Sequence, residues 1–107
     1  MTLQRGEIYW ADLPHPSDRR PVLVITRTRS IRSLTSIVTA PITRTIRRSP
    51  SEVSLGPDEG LRDECVVNCH GLMTVRKSDL DPSPVGRLSN EKLRELDEAL
   101  RYALEIR

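Results

Sequence analysis

Two arginines stand directly before an apolar run in Arg19-Arg20-Pro21-Val22-Leu23-Val24-Ile25-Thr26. A guanidinium is planar, always charged, and grips a phosphate with two parallel hydrogen bonds. Proline fixes its own φ and biases Arg20 toward an extended backbone. The β-branched run from Val22 to Ile25 reads as a buried strand. An arginine at the mouth of such a strand has a rigid base and a fixed direction, which suits a group that stabilises a phosphate. Taken alone, the pair fits a solvated strand edge better. A second β-rich run, Ser36-Ile37-Val38-Thr39-Ala40-Pro41-Ile42-Thr43-Arg44, places a hydroxyl and another arginine at its exit. Thr43 can donate one hydrogen bond to a phosphate oxygen. The chain has two histidines, His15 and His70. His15 lies between two prolines, either exposed in its loop or poised over a groove beside Arg20. His70 precedes Gly71, either as an acid or base or as a polar residue hydrogen-bonded at a strand kink. Arg19, Arg27, Arg44 and Arg48 are candidates for tracking a phosphate backbone, although most surface charges do nothing specific.

The composition supports an anionic partner. The formal net charge of +2 conceals an asymmetry: residues 1–50 hold nine arginines, no lysine and three acids, while residues 51–107 hold eight Lys and Arg against twelve acids. An arginine-only basic half leans toward nucleic acid. A length of 107 residues fits one domain spanning 1–107. With 36% apolar residues its core must be small, and eight prolines suggest short elements joined by defined turns. No leader pattern and no membrane-length apolar run is visible, so a cytoplasmic protein with no membrane partner is expected. Cys65 and Cys69 have a spacing that matches neither a redox pair nor the usual zinc motif. They read as small buried hydrophobes too far apart along a strand for a disulfide. A zinc site from His15, Cys65, Cys69 and His70 is poorly supported by spacing; no metal or cofactor is expected.

The elements that must position these groups follow from the pattern. Gly6 to Leu13 reads as a first strand, with Ile8, Trp10 and Asp12 on one face and Tyr9, Ala11 and Leu13 on the other. Trp10 is assigned to the core. Pro14 to Asp18 is a turn-rich loop. Thr26 to Ser33 reads as a polar, basic loop. Pro41 predicts an edge or bulge near the end of its strand. Short strands are expected at Glu52–Leu55, Glu64–Cys69 and Leu72–Val75, with a kink at His70-Gly71. A helix begins at Ser89 or Asn90, with Leu93, Leu96, Leu100, Ala103 and Leu104 at helical spacing. Arg94–Glu98 and Asp97–Arg101 are its expected ion pairs. Five to seven strands followed by one helix predict a mainly β (α+β) fold, a small curved sheet or barrel with a helical cap.

Taken in order, these stretches resemble a known family. Gly6-Glu7-Ile8-Tyr9-Trp10-Ala11-Asp12-Leu13, Arg20-Pro21-Val22-Leu23-Val24-Ile25 and Ala40-Pro41-Ile42-Thr43 look like the MazF/PemK (Kid) toxins. So do Arg62-Asp63-Glu64-Cys65-Val66-Val67-Asn68-Cys69, Thr74-Val75 and Val85-Gly86-Arg87-Leu88-Ser89, so the likeness spans nearly the whole chain. The resemblance implies an SH3-like/CcdB-like β-barrel with a C-terminal helix, a homodimer, and a cognate antitoxin protein that occupies the RNA groove. It implies a sequence-specific, metal-independent endoribonuclease acting on single-stranded RNA: mRNA, tRNA or rRNA. The family's arginine before the proline matches Arg20, and its threonine at the strand exit matches Thr43. Kid-like members read Arg-Cys-Asp where this chain has Asn68-Cys69-His70, so His70 stands where an acid or base is expected.

The chemistry implied is attack of the substrate's own 2′-hydroxyl on the adjacent phosphate, leaving a 2′,3′-cyclic phosphate (or 3′-phosphate) and a 5′-hydroxyl. Arg20 would stabilise the charge that develops on phosphorus; a guanidinium stays protonated, which makes it a poor proton shuttle. Two other readings share the fold: a catalytically weak module that binds RNA or an antitoxin, and a CcdB-like inhibitor of a protein target.

Overall fold

The computed structural model describes residues 2–16 and 18–107; Ser17, in the expected loop, lies outside them. Seven strands follow one another: β1 (Glu7–Asp12), β2 (Arg19–Val24), β3 (Ser36–Thr43), β4 (Glu52–Leu55), β5 (Cys65–Asn68), β6 (Met73–Arg76) and β7 (Gly86–Arg87). Helix α1 (Thr28–Ile31) lies between β2 and β3, and helix α2 (Asn90–Leu104) closes the chain. The sheet runs β4-β5-β3-β2-β1-β7 with β6 paired to β3, and every pairing is antiparallel. The result is a curled half-barrel with a C-terminal helix, the mainly β class expected.

β3 is the hub. On one side it pairs with β2; on the other it pairs first with β6, over Ser36–Thr39, and then with β5, over Ile42–Thr43. Pro41 therefore lies within a central strand and not at an edge. It falls in the gap where β3 changes partner, so its missing N–H interrupts neither ladder. Gly71 sits beside it, where a Cβ would meet the proline ring at 3.1 Å.

The period-two alternation of β1, β2 and β3 sorts two cores onto opposite faces. Ile8, Leu23, Ala40 and Ile42 join Val53, Leu55, Val67 and the helix residues Leu96, Ala99 and Leu100. Tyr9, Ala11, Val22, Val24 and Ile37 join Ile31, Val75 and Leu80. Tyr9 is fully buried and its phenol is pushed up to about 12, by burial first and then by neighbouring Glu7. The expected polar loop after β2 contains α1, whose Ile31 is buried; one apolar residue in a basic stretch leaves no period to read. Ser89 caps α2 as expected, its hydroxyl accepting from the Lys92 N–H at 3.1 Å. Leu104 is exposed rather than core, because the helix runs past the sheet edge. The expected i,i+4 ion pairs do not form. Arg101 pairs with Glu98, and Asp97 pairs with Arg5 at 3.0 Å, tying α2 to the chain's start. Among the described residues no helix is long and apolar enough to cross a membrane.

The turn of Pro57–Glu59 is wedged against the start of β7. A Cβ on Gly86 would lie 1.9 Å from the Glu59 carbonyl oxygen, whereas a Cβ on Gly56 meets nothing within 4 Å. Gly86→Ala is expected to destabilise the fold by about 1–3 kcal/mol, and Gly56→Ala by no more than about 0.5 kcal/mol. Urea unfolding of the two variants checks the contrast; equal midpoints would show that the wedge yields freely.

Candidate active-site groove

The β2–β3 ladder stops because of Pro21. The Ile25 N–H donates to the Val38 carbonyl at 3.0 Å, so this is a hydrogen-bonded pair. Bonded and non-bonded pairs alternate along an antiparallel ladder. Leu23–Ala40 is then bonded, Val22–Pro41 is not, and the next bonded pair would be Pro21–Ile42. Proline has no N–H to give, and the register ends at Val22–Pro41. Beyond this point β3 holds β5 through Ile42–Val67 and Thr43–Val66, while β2 holds β1 through Ala11–Arg20 and Asp12–Arg19. Continuing the same register sets Arg20 opposite Thr43.

A groove of about 610 Å³ lies at this end of the sheet, lined from β1 by Trp10, from β2 by Arg19, Arg20 and Pro21, from β3 and its exit by Ile42 to Thr45, and from the segment before β5 by Leu61, Arg62, Asp63 and Cys65. Arg20 is exposed and, among the described residues, makes no ion pair. The Thr43 hydroxyl oxygen accepts from the Thr45 N–H at 3.1 Å, which leaves its own proton to donate outward. Arg19 is bound differently: it donates to Asp12 at 3.2 Å and to Asp81, and its guanidinium lies 5.7 Å from the Trp10 ring centre. Arg44 lines the groove 3.4 Å from Asp63.

The other residues singled out lie elsewhere. His15 is exposed on its loop, 3.9 Å from Asp18, and does not line the groove. Arg27 precedes α1, and Arg48 lies in the turn before β4 at φ 57; neither lines the groove. His70 is in a 3-10 turn after β5 and faces Tyr102 of α2 edge-on, with ring centres 6.3 Å apart. Its N–H donates to the Asn68 side chain at 3.0 Å. The strand ends at Asn68, and the turn carries His70 to Tyr102 of the helix, outside the groove's lining. The two cysteines are free and buried. Burial pushes the Cys69 thiol up to about 11; burial and then Glu59, Asp63 and Glu64 raise that of Cys65. Among the described residues no three metal-ligating side chains cluster.

Trp10 contradicts the core assignment: it is 38% exposed and forms part of the groove. It shares a face with Ile8, but β1 runs beyond the α2-covered core before reaching it. Arg62 and Asp63 were also not singled out as site residues; only their place in a turn next to a strand could have marked them.

Residues 4–104 match the family model described as the PemK-like, MazF-like toxin of type II toxin–antitoxin systems. The chain belongs to this toxin family. A MazF-like relative, the endoribonuclease MazF6 of Mycobacterium tuberculosis H37Rv, is 35% identical over 115 residues, covering 99% of this chain and 100% of that protein. The solved structure of the Mycobacterium tuberculosis toxin MazF-mt6 superposes with a TM-score of 0.87 at 33% identity, covering 94% of this chain and 98% of that one. A mycobacterial endoribonuclease in complex with its cognate antitoxin superposes equally well, at 0.87 and 26% identity, over 98% of this chain and 97% of that one.

Pro21→Ala restores a donor facing Ile42. The amide of residue 21 is expected to become protected in hydrogen exchange, with the ladder one pair longer. Exchange at a loop-like rate would show that something other than the proline holds the strands apart.

Proposed function

We propose that residues 1–107 form one toxin domain, a cytoplasmic, homodimeric endoribonuclease that cuts single-stranded RNA and is neutralised by a cognate antitoxin. One observation carries the catalytic part: an unpaired guanidinium, Arg20, and an outward-donating hydroxyl, Thr43, converge on one groove. The relatives named as endoribonucleases, and the neighbour solved with its antitoxin, support the reading. The exposed Tyr102, Leu104 and Ile106 at the end of α2 supply an apolar surface for a second copy.

The reaction follows from the groove's chemistry. A base takes the 2′-hydroxyl proton, the 2′-oxygen bonds to phosphorus, and the bond from phosphorus to the 5′-oxygen breaks. Solvent returns a proton to the leaving 5′-oxygen, since the groove opens to water. Arg20 and Thr43 donate to the phosphate oxygens as negative charge grows. Arginine stays protonated and burial raises the Cys65 thiol, so the lining carboxylate Asp63 is the side chain fitted to accept the proton. His70, outside the groove, has no part in this scheme.

The test is a long RNA of mixed sequence, incubated with purified protein in EDTA, with the cut ends mapped. Cuts bearing 5′-hydroxyl ends are expected. Arg20→Ala should slow them at least about a hundredfold, and Thr43→Val by about tenfold to a thousandfold. RNA bound but uncut would favour a binding module; intact RNA with a gyrase-dependent effect would favour a CcdB-like inhibitor.

The proton acceptor is tested by rate against pH. Asp63→Asn is expected to slow cleavage and remove the acidic limb of the profile, while His70→Ala leaves the profile unchanged. A limb lost with His70 would return the role to the imidazole.

A further inference from the structure

Trp10 is the chain's one tryptophan. It stands opposite Pro21 in the β1–β2 register, beside the position of Arg20. A large ring left 38% exposed on a strand, at the wall of the groove, has apolar surface still to cover. The guanidinium of Arg19 lies 5.7 Å from the ring centre, within cation–π range. Arg19 is itself pinned from two sides, by Asp12 at the end of β1 and by Asp81, sixty-two positions along the chain. Two carboxylates offset its charge and take two of its five N–H donors, so it is a weaker phosphate ligand than an unpaired arginine. What remains is a flat, anchored pair of planar groups next to an unpaired arginine.

We infer that Trp10, held in place by Arg19, is a stacking platform for one base of the bound RNA, beside the phosphate gripped by Arg20. The inference rests on the nuclease reading and adds a specificity element to it. Arg19 is a positioning residue: it acts on the base through the indole and not on the phosphate. Stacking tolerates many sequences because every base has a flat face, so the platform fixes where the strand lies. Hydrogen bonds elsewhere in the groove then read which base is present.

The test uses the chain's single indole as its own reporter. An oligonucleotide spanning the strongest cut mapped in the long RNA is made with 2′-deoxyribose at the cut nucleotide, so that it binds without being cleaved. Titration into wild-type protein is expected to quench the tryptophan emission. An abasic residue moved along the oligonucleotide should abolish the quench at one position, weakening binding about five- to a hundredfold by anisotropy. Trp10→Ala should raise KM by a similar factor with kcat within about twofold, because stacking is present before and during the reaction. Trp10→Phe should recover most of the loss, and Asp81→Asn should raise KM by a smaller factor by loosening Arg19. Binding without quenching, or an unchanged KM in Trp10→Ala, overturns the platform while leaving the nuclease intact. The abasic scan needs no variant and decides the matter even if Trp10→Ala fails to fold. Wild-type protein that neither binds nor cuts RNA overturns the nuclease reading itself.

Discussion

A single missing hydrogen-bond donor shapes the functional end of this molecule. β2 and β3 are zipped from Val24–Thr39 to Val22–Pro41, and alternation then demands a donor from residue 21. Pro21 has none. The ladder stops, and the two chains turn to their outer neighbours, β2 to β1 and β3 to β5. Each outer pairing keeps its strand regular up to the groove, so Arg20 and Thr43 are held on rigid backbone and not on loops. A proline that merely ended a strand would leave a frayed edge. Here both strands remain paired on their far sides, and the cleft between them is fixed.

The second proline of the hub strand acts by a related rule on the opposite side. Pro41 is in a non-bonded pair with Val22, so its nitrogen faces the flank that β6 and β5 share. Both partners stop short of it: β6 pairs up to Thr39 and β5 begins at Ile42. The chain crosses between them through the turn at Cys69–Gly71, where Gly71 lets the backbone approach the proline ring. This hand-over lets one strand serve two sheet regions, with a core cluster on each face. The curl of the half-barrel and the splay at the groove therefore have a common origin in where backbone donors are absent.

Much of this was legible in the sequence, and the limits are physical. Apolar periodicity and the Ser89 cap marked α2 because a helix is a local structure whose signals lie within a few residues. Arg20 before Pro21 could be picked out by residue type, and Thr43 by its match to the family's strand-exit threonine. Their meeting depends on a register between strands some twenty residues apart, which no local pattern encodes. Trp10 was misassigned for a similar reason. Alternation shows which residues share a face, but not how far along the strand the covering helix extends. His70 read as a reactive group because of its type and its neighbours. The 3-10 turn that carries it toward Tyr102 depends on three residues, Cys69 to Gly71, too few to leave a period.

The arginine-rich first half carried the suggestion of nucleic acid, and its arginines divide into different kinds. Arg5 is a structural brace: its side chain donates to the Ile25 carbonyl and to Asp97, joining β2 to α2. Arg19 is neutralised by two carboxylates and laid over an indole. Arg44 shares Asp63 across the groove mouth. Arg20 lies among these with no acidic partner among the described residues. Net positive charge attracts a polyanion to a surface from any direction, but it does not select one phosphate. Selection needs an unmatched cation held on a rigid strand, and Arg20 is one. The acidic residues that bind Arg19 and Arg44 therefore shape the groove's charge as much as the arginines do, since they leave Arg20 and Arg62 as its lining cations without an ion pair among the described residues.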